Sequence, residues 1–176
     1  MFGWFLRKVR RLKRRKGAVK IIIDGENLLK SLKRLGRADI DILDLISNLK
    51  IKDEKEIYFF ATRLMGDHQQ EALVKRFKKN GVEVILKRVK VIIGGMTKKS
   101  RIDPWIGTEI AKTATQKNIR RIVLFSGDSD FQSSIEYVKE CGIEVAVVSS
   151  KNDLSKELMA VADQVIYLEK LLDASQ

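Results

Sequence analysis

From position 18 onward the chain alternates between short runs dense in Ile and Val and longer stretches in which apolar residues recur every three or four positions. The runs AVKIIID, EIYFFATR, VEVILKRVKVII, RIVLFSG and IEVAVVS have the length and β-branched content of strands buried on both faces. Between them, residues 67–80, 104–118 and 129–141 carry helical periodicity, and a similar pattern resumes after DGEN at 24–27. Strands alternating with helices predict βαβ units around a parallel sheet. The expected fold is therefore α/β, three-layered and doubly wound, with a mostly parallel sheet and helices on both faces. Gly81 and Gly142 fall where helices should end. Asp103 before Pro104, the only proline, reads as an N-cap and first helical residue. A short helix near 154–162 and a strand QVIYL close the pattern.

Residues 1–17 follow a different rule. Over 2–16, Phe2, Phe5, Leu6, Val9 and Leu12 share one side of a helix and most of the basic residues the other. Of the net charge of +12, residues 1–20 hold nine Lys or Arg and no acid, which leaves +3 for the remaining 156. The division is a basic amphipathic segment, 1–17, and one domain, 18–176. Two partners suit the segment: an anionic membrane surface or partner helix through its apolar face, or the RNA backbone through its charges. One cysteine and one histidine, Cys141 and His68, make neither an internal disulfide nor an ordinary Cys/His zinc site. A reducing cytoplasmic location is the default, peripheral at the inner membrane surface if the segment docks there. No apolar run is long enough to cross a bilayer.

The chemistry lies where the strands end. Asp24 follows VKIII, and Asp128 and Asp130 follow RIVLF within SGDSDF. Ligands in open parallel sheets bind beyond the carboxyl ends of the strands, so the three acids converge if these two strands are neighbours. Clustered carboxylates repel unless one is protonated or a cation neutralises them. Oxygen ligands beside a phosphate select magnesium or manganese. Glu26 and Asn27 occupy the turn after Asp24, and Ser126 precedes the later acids. Asp103 and Glu109 add two candidates, although six residues turn a helix by about 240° net and place them on different faces. The plainer readings are N-caps for Asp128, Asp130 and Asp103, solvated helix acids for Glu26 and Glu109, and a turn amide for Asn27. Lys98, Lys99 and Arg101 can contact phosphates, as can the KRFKK run at 75–79, or form solvated faces. Trp105 can stack a base or pack in the core.

IIIDGENLL, then RIDPWIGTEI, then VLFSGDSDF in that order resemble the NYN domain of the PIN-like nuclease superfamily, close to the LabA-like group, over roughly residues 18–168. The resemblance implies a metal-dependent ribonuclease acting on RNA, single-stranded by preference, with catalytic, metal-holding acids at Asp24, Asp103, Asp128, Asp130 and Glu109. From the residues themselves, magnesium or manganese is the expected ion, and Asn27, Ser126, Lys98, Lys99, Arg101 and Trp105 are the candidates for positioning the substrate. The chain departs from the family in having Glu109 where an aspartate usually stands, and Ser100, Arg101 and Ile102 in place of a usual lysine-glycine. A non-catalytic RNA-binding module of the same fold is the alternative. A phosphotransferase of the haloacid dehalogenase type would carry its Asp-x-Asp on the first strand, where this chain has DGEN.

Overall fold

A computed structural model describes residues 17–63, 68–88 and 102–173. The helix expected over 2–16 and the basic residues Lys98, Lys99 and Arg101 lie outside the described residues. The first apolar run forms β1 (Ala18–Asp24), buried along its whole length. It is followed by α1 (Gly25–Arg34), α2 (Ile42–Ser47), β2 (Lys55–Arg63), α3 (His68–Lys79), β3 (Val82–Arg88) and α4 (Asp103–Lys112). The second half runs through β4 (Ile119–Phe125), α5 (Gln132–Glu140), β5 (Glu144–Ser149), α6 (Lys156–Val161), β6 (Gln164–Tyr167) and α7 (Leu168–Asp173). The sheet order is β3-β2-β1-β4-β5-β6, and each neighbouring pair is parallel.

Alternation along β1 divides the core. Ile21 and Ile23 pack with Leu28 and Leu32 of α1, Leu45 of α2, Phe77 of α3 and Leu171 of α7. Ile22 points the other way, to Ile106 and Ile110 of α4, Ile135 and Val138 of α5 and Leu158 of α6. The result is a sheet between two helical layers, each anchored by side chains whose full burial contributes about 1.5–3 kcal/mol apiece. Phe59 and Phe77 meet edge to face at 4.9 Å between ring centres. Among the described residues no helix is long and apolar enough to cross a membrane.

Gly81 and Gly142 do end helices with positive φ, at 75° and 84°. The start of α4 differs from expectation. Asp103 lies inside the helix, and Ile102 takes the N-cap position without a side-chain bond, because Ile102 is itself drawn into the core at 1% exposure. The helix also stops early, at Lys112. There the Thr113 hydroxyl donates to the Glu109 carbonyl at 3.1 Å and the chain tightens into a 3-10 turn, Thr113–Thr115. The helix expected from 129 opens as another such turn, Ser129–Phe131, before α5. The short α2 and α7, six residues each, offer too few turns for periodicity to register.

Gly25 shows how tightly α1 starts against the sheet. A Cβ there would stand 2.6 Å from the Phe59 ring and 2.7 Å from the Phe60 carbonyl oxygen, so the glycine of DGEN admits close backbone approach to β2. Gly25→Ala is expected to cost roughly 1–3 kcal/mol by this overpacking; a urea midpoint equal to that of the unaltered protein would count against it.

Candidate active site

Connections from β1 run toward β2 and β3, whereas those from β4 run toward β5 and β6. The carboxyl ends of β1 and β4 therefore border the crevice where such sheets bind ligands. Asp24 ends β1 there. Its Oδ1 accepts the Asn27 amide at 3.1 Å, which makes it the N-cap of α1, and its Oδ2 accepts the Ser126 hydroxyl at 3.1 Å. Ser126 Oγ in turn accepts the Asp128 amide at 3.2 Å, and Asp128 Oδ1 accepts the Asp130 amide at 3.0 Å. The Asn27 side chain closes the ring by accepting the Gly127 amide at 3.2 Å. Asp24, Asn27, Ser126 and Asp128 thus form one bonded network across the β1–β4 seam, and both strand-end acids do local capping work.

A second layer supports the loop after β4. The Gly127 carbonyl accepts the Ser155 amide at 3.0 Å. A Cβ at Gly127 would collide with the Asp153 carbonyl oxygen and stand 2.6 Å from Ser149 Oγ. Asp153 clamps this segment to α1, accepting the Ser31 and Ser150 hydroxyls at 2.7 Å each and pairing with Arg34. Burial opposes ionisation of Asp153, but those two hydroxyls and the Arg34 charge outweigh it and hold the carboxyl below its usual range.

Asp24 is only 4% exposed, and its pKa is pushed up from 3.8 to about 6. Burial is the main cause; the Asn27 and Ser126 hydrogen bonds oppose it, and the charges of Asp103 and Glu26 add to it. Asp103 is thus near enough to repel Asp24. It also lines a groove of about 680 Å³ between α4 and α5, with Pro104, Gly107, Thr108, Ala111, Asp130 and Ser134. Glu26 accepts a hydrogen bond from Thr62 of β2. Among the described residues no three of His, Cys, Asp and Glu stand close enough to hold a metal ion unaided.

Glu109 is engaged in an ion pair. Its Oε1 lies 2.7 Å from Lys20 Nζ, a fully buried ammonium in the middle of β1 that also stands 4.5 Å over the Tyr58 ring and 3.9 Å from Glu56. Lys20 is four residues before Asp24, about 13 Å along an extended strand, and Glu109 is paired with that lysine. Burial of an ammonium requires a partner, and Glu109 supplies it. The lysine interrupting AVKIIID was the sequence signal for this pair. Trp105 is 52% exposed and outside the core; Lys87 Nζ stands 3.0 Å from its ring centre.

A family model described as NYN domain matches residues 18–169. The chain belongs to the NYN family. A crystal structure of a protein of unknown function, VPA0982 from Vibrio parahaemolyticus, superposes with a TM-score of 0.74 at 22% identity, over 86% of this chain and 93% of that one; at this identity the likeness speaks to fold. No curated protein matches the chain. The six-stranded parallel sheet between helices is the PIN-like arrangement of this NYN domain.

Two outcomes test the electrostatics. In the folded state Asp24 holds its proton up to about pH 6, whereas the unfolded chain releases it near pH 4. Its charge therefore destabilises the metal-free fold fully above pH 6, by on the order of 3 kcal/mol, and the penalty fades as pH falls toward 4. Asp24→Asn, which keeps the cap, should raise the melting temperature in EDTA at pH 7.5 and bring little gain at pH 4; an equal gain at both would contradict the assignment. Glu109→Gln should lower stability by about 3–5 kcal/mol by stranding Lys20, yet preserve any melting shift that manganese produces. Unchanged stability with loss of that shift would return Glu109 to the acid group.

Proposed function

We propose that this NYN domain hydrolyses phosphodiester bonds of RNA at the carboxyl edge between β1 and β4, with a magnesium or manganese ion. The observation that carries the reading is the Asp24 carboxylate. It is almost fully buried at the switch point of the sheet and pushed up to about 6 by burial and by Asp103 and Glu26. An acid so placed is relieved by a cation, and the surrounding donors are all oxygens, which suits a hard divalent ion. Magnesium keeps several waters and completes its shell with substrate oxygens, so two acids suffice for the protein's share. Asp24 and Asp103 would hold it. Bound there, it supplies Lewis-acid polarisation of a phosphate and acidifies water.

The chain's own groups have separable duties. Ser126 and the Asn27 amide fix both oxygens of Asp24, so that the acid needs no reorganisation when substrate arrives. The Asn27 side chain holds Gly127, which sets the spacing between α1 and the loop after β4. Asp128 shapes the turn that carries Asp130, and Asp130 faces Asp103 across the groove.

RNA binding without hydrolysis is the second reading. It is favoured by the engagement of Glu109 with Lys20, which leaves the edge poorer in acids than the resemblance implies. A cleavage assay on single-stranded RNA, titrated with magnesium and manganese, separates the two. Hydrolysis should require the ion, stop with EDTA, and fall at least about 100-fold in Asp24→Asn and Asp103→Asn, equivalent to roughly 3 kcal/mol of barrier. Retention of cleavage by both variants would refute the hydrolytic reading, and tight binding with no cleavage in either ion would establish the second.

A further inference from the structure

The exposed face of α4 has two flanks. One borders the groove shared with α5; the other turns to β3, where Trp105 and Lys87 meet. Trp105 stands in the first turn of α4, two residues after Asp103. Strand register fixes the height of Lys87. Asp24 pairs with Phe60 and Phe60 with Ile85, so Lys87 stands two residues nearer the carboxyl edge than Asp24. It also shares the α4 face of the sheet, since Ile85 packs against that cluster and Leu86 against the opposite one. Two strand spacings, about 10 Å, separate β3 from β1.

This places a half-exposed aromatic ring and an ammonium together beside Asp103, at the level where substrate would cross the edge. The ammonium over the ring centre covers one face of Trp105 and restrains both side chains, which leaves the opposite face for a base and lowers the entropy lost on binding. Among the described residues the other exposed large apolar side chains, Leu29, Tyr137 and Met159, lie on α1, α5 and α6. A ring stacks an unpaired base, and an ammonium binds phosphate as a point charge.

We propose that Lys87 and Trp105 form a subsite for one unpaired nucleotide of single-stranded RNA, on the β3 flank of the strand-end acids. Trp105 stacks the base, and Lys87 contacts a phosphate beside it. Paired bases are already stacked within the duplex and offer the ring no free face, so the subsite selects single strands. It deepens the reading of the domain as acting on RNA and rests on it.

Binding is measured with the full chain in EDTA, using a short oligouridine and an RNA duplex of equal length. The chain has two tryptophans, so Trp4→Phe leaves Trp105 as the only emitter. Oligouridine should quench that emission and the duplex should not. Trp105→Ala should weaken oligouridine binding about five- to a hundredfold, Trp105→Phe should retain most of it, and Lys87→Ala should reduce the salt dependence by about one phosphate contact. Both positions are at the surface, so melting temperatures should match that of the unaltered protein. Unchanged affinity in Trp105→Ala, or equal quenching by duplex, overturns the subsite. If the protein cleaves no RNA in any divalent ion, the hydrolytic reading fails while these metal-free measurements still judge the subsite.

Discussion

The hydrogen bond from Ser126 to Asp24 joins the end of β1 to the chain leaving β4, and the geometry of the edge follows from it. A carboxylate placed at a sheet seam with 4% exposure persists only if both oxygens are engaged. Asn27 and Ser126 meet that requirement, one from the start of α1 and one from the end of β4. Close packing flanks the Ser126–Asp24 bond on both sides, since Gly25 leaves no room for a side chain against Phe59 and Phe60 of β2, and Gly127 none against Asp153 and Ser149. Asp153 then holds α1 to the β5–α6 connection from behind. The edge is built from three segments, β1–α1, the loop after β4 and the β5–α6 connection, joined by hydrogen bonds between them.

The same arrangement sets stability against function. Burial, Asp103 and Glu26 all disfavour the Asp24 charge. The buried cation of β1 is Lys20, which is committed to Glu109 and Glu56 farther down the strand. The two buried charges of β1 therefore have opposite fates. Lys20 is paired with Glu109 and fastens α4 to the strand, whereas Asp24 accepts from the Asn27 amide and the Ser126 hydroxyl. Moving Glu109 to the edge would strand Lys20 and relieve nothing at Asp24, because another carboxylate there would add repulsion.

The fold was legible because strands buried on both sides announce themselves as unbroken Ile and Val runs, as in β1, β4 and β5. Asp24 and Asp128 were legible for the same reason, being the polar residues at which those runs stop. Local signals failed where tertiary contacts decided. The Asp103–Pro104 pair has the composition of a cap, but burial of Ile102 shifted the helix start. Spacing alone already put Glu109 on a different face of α4 from Asp103; the residue waiting on that face, Lys20, is 89 positions away in sequence. Lys87 and Thr62 were overlooked because each is an ordinary residue in an ordinary strand, significant only for what the register places beside it.

Charge distribution gives the β3 flank its significance. Asp24, Glu26, Asp103, Asp128 and Asp130 surround the edge, and a polyanion approaching them is repelled before any contact forms. Under the proposed reading, an ion held by Asp24 and Asp103 would offset part of that field. The dense positive charge of the chain lies within its first twenty residues, and screening limits the reach of any exposed charge to about 8 Å at physiological salt. A cation fixed beside the edge acts within that range. Lys87 is fixed there by strand register and by the Trp105 ring, on the flank of α4 opposite the groove that Asp130 lines. In the proposed subsite, a single strand entering over Lys87 would meet positive charge before the acids, which would reduce the repulsion of its phosphates at the edge.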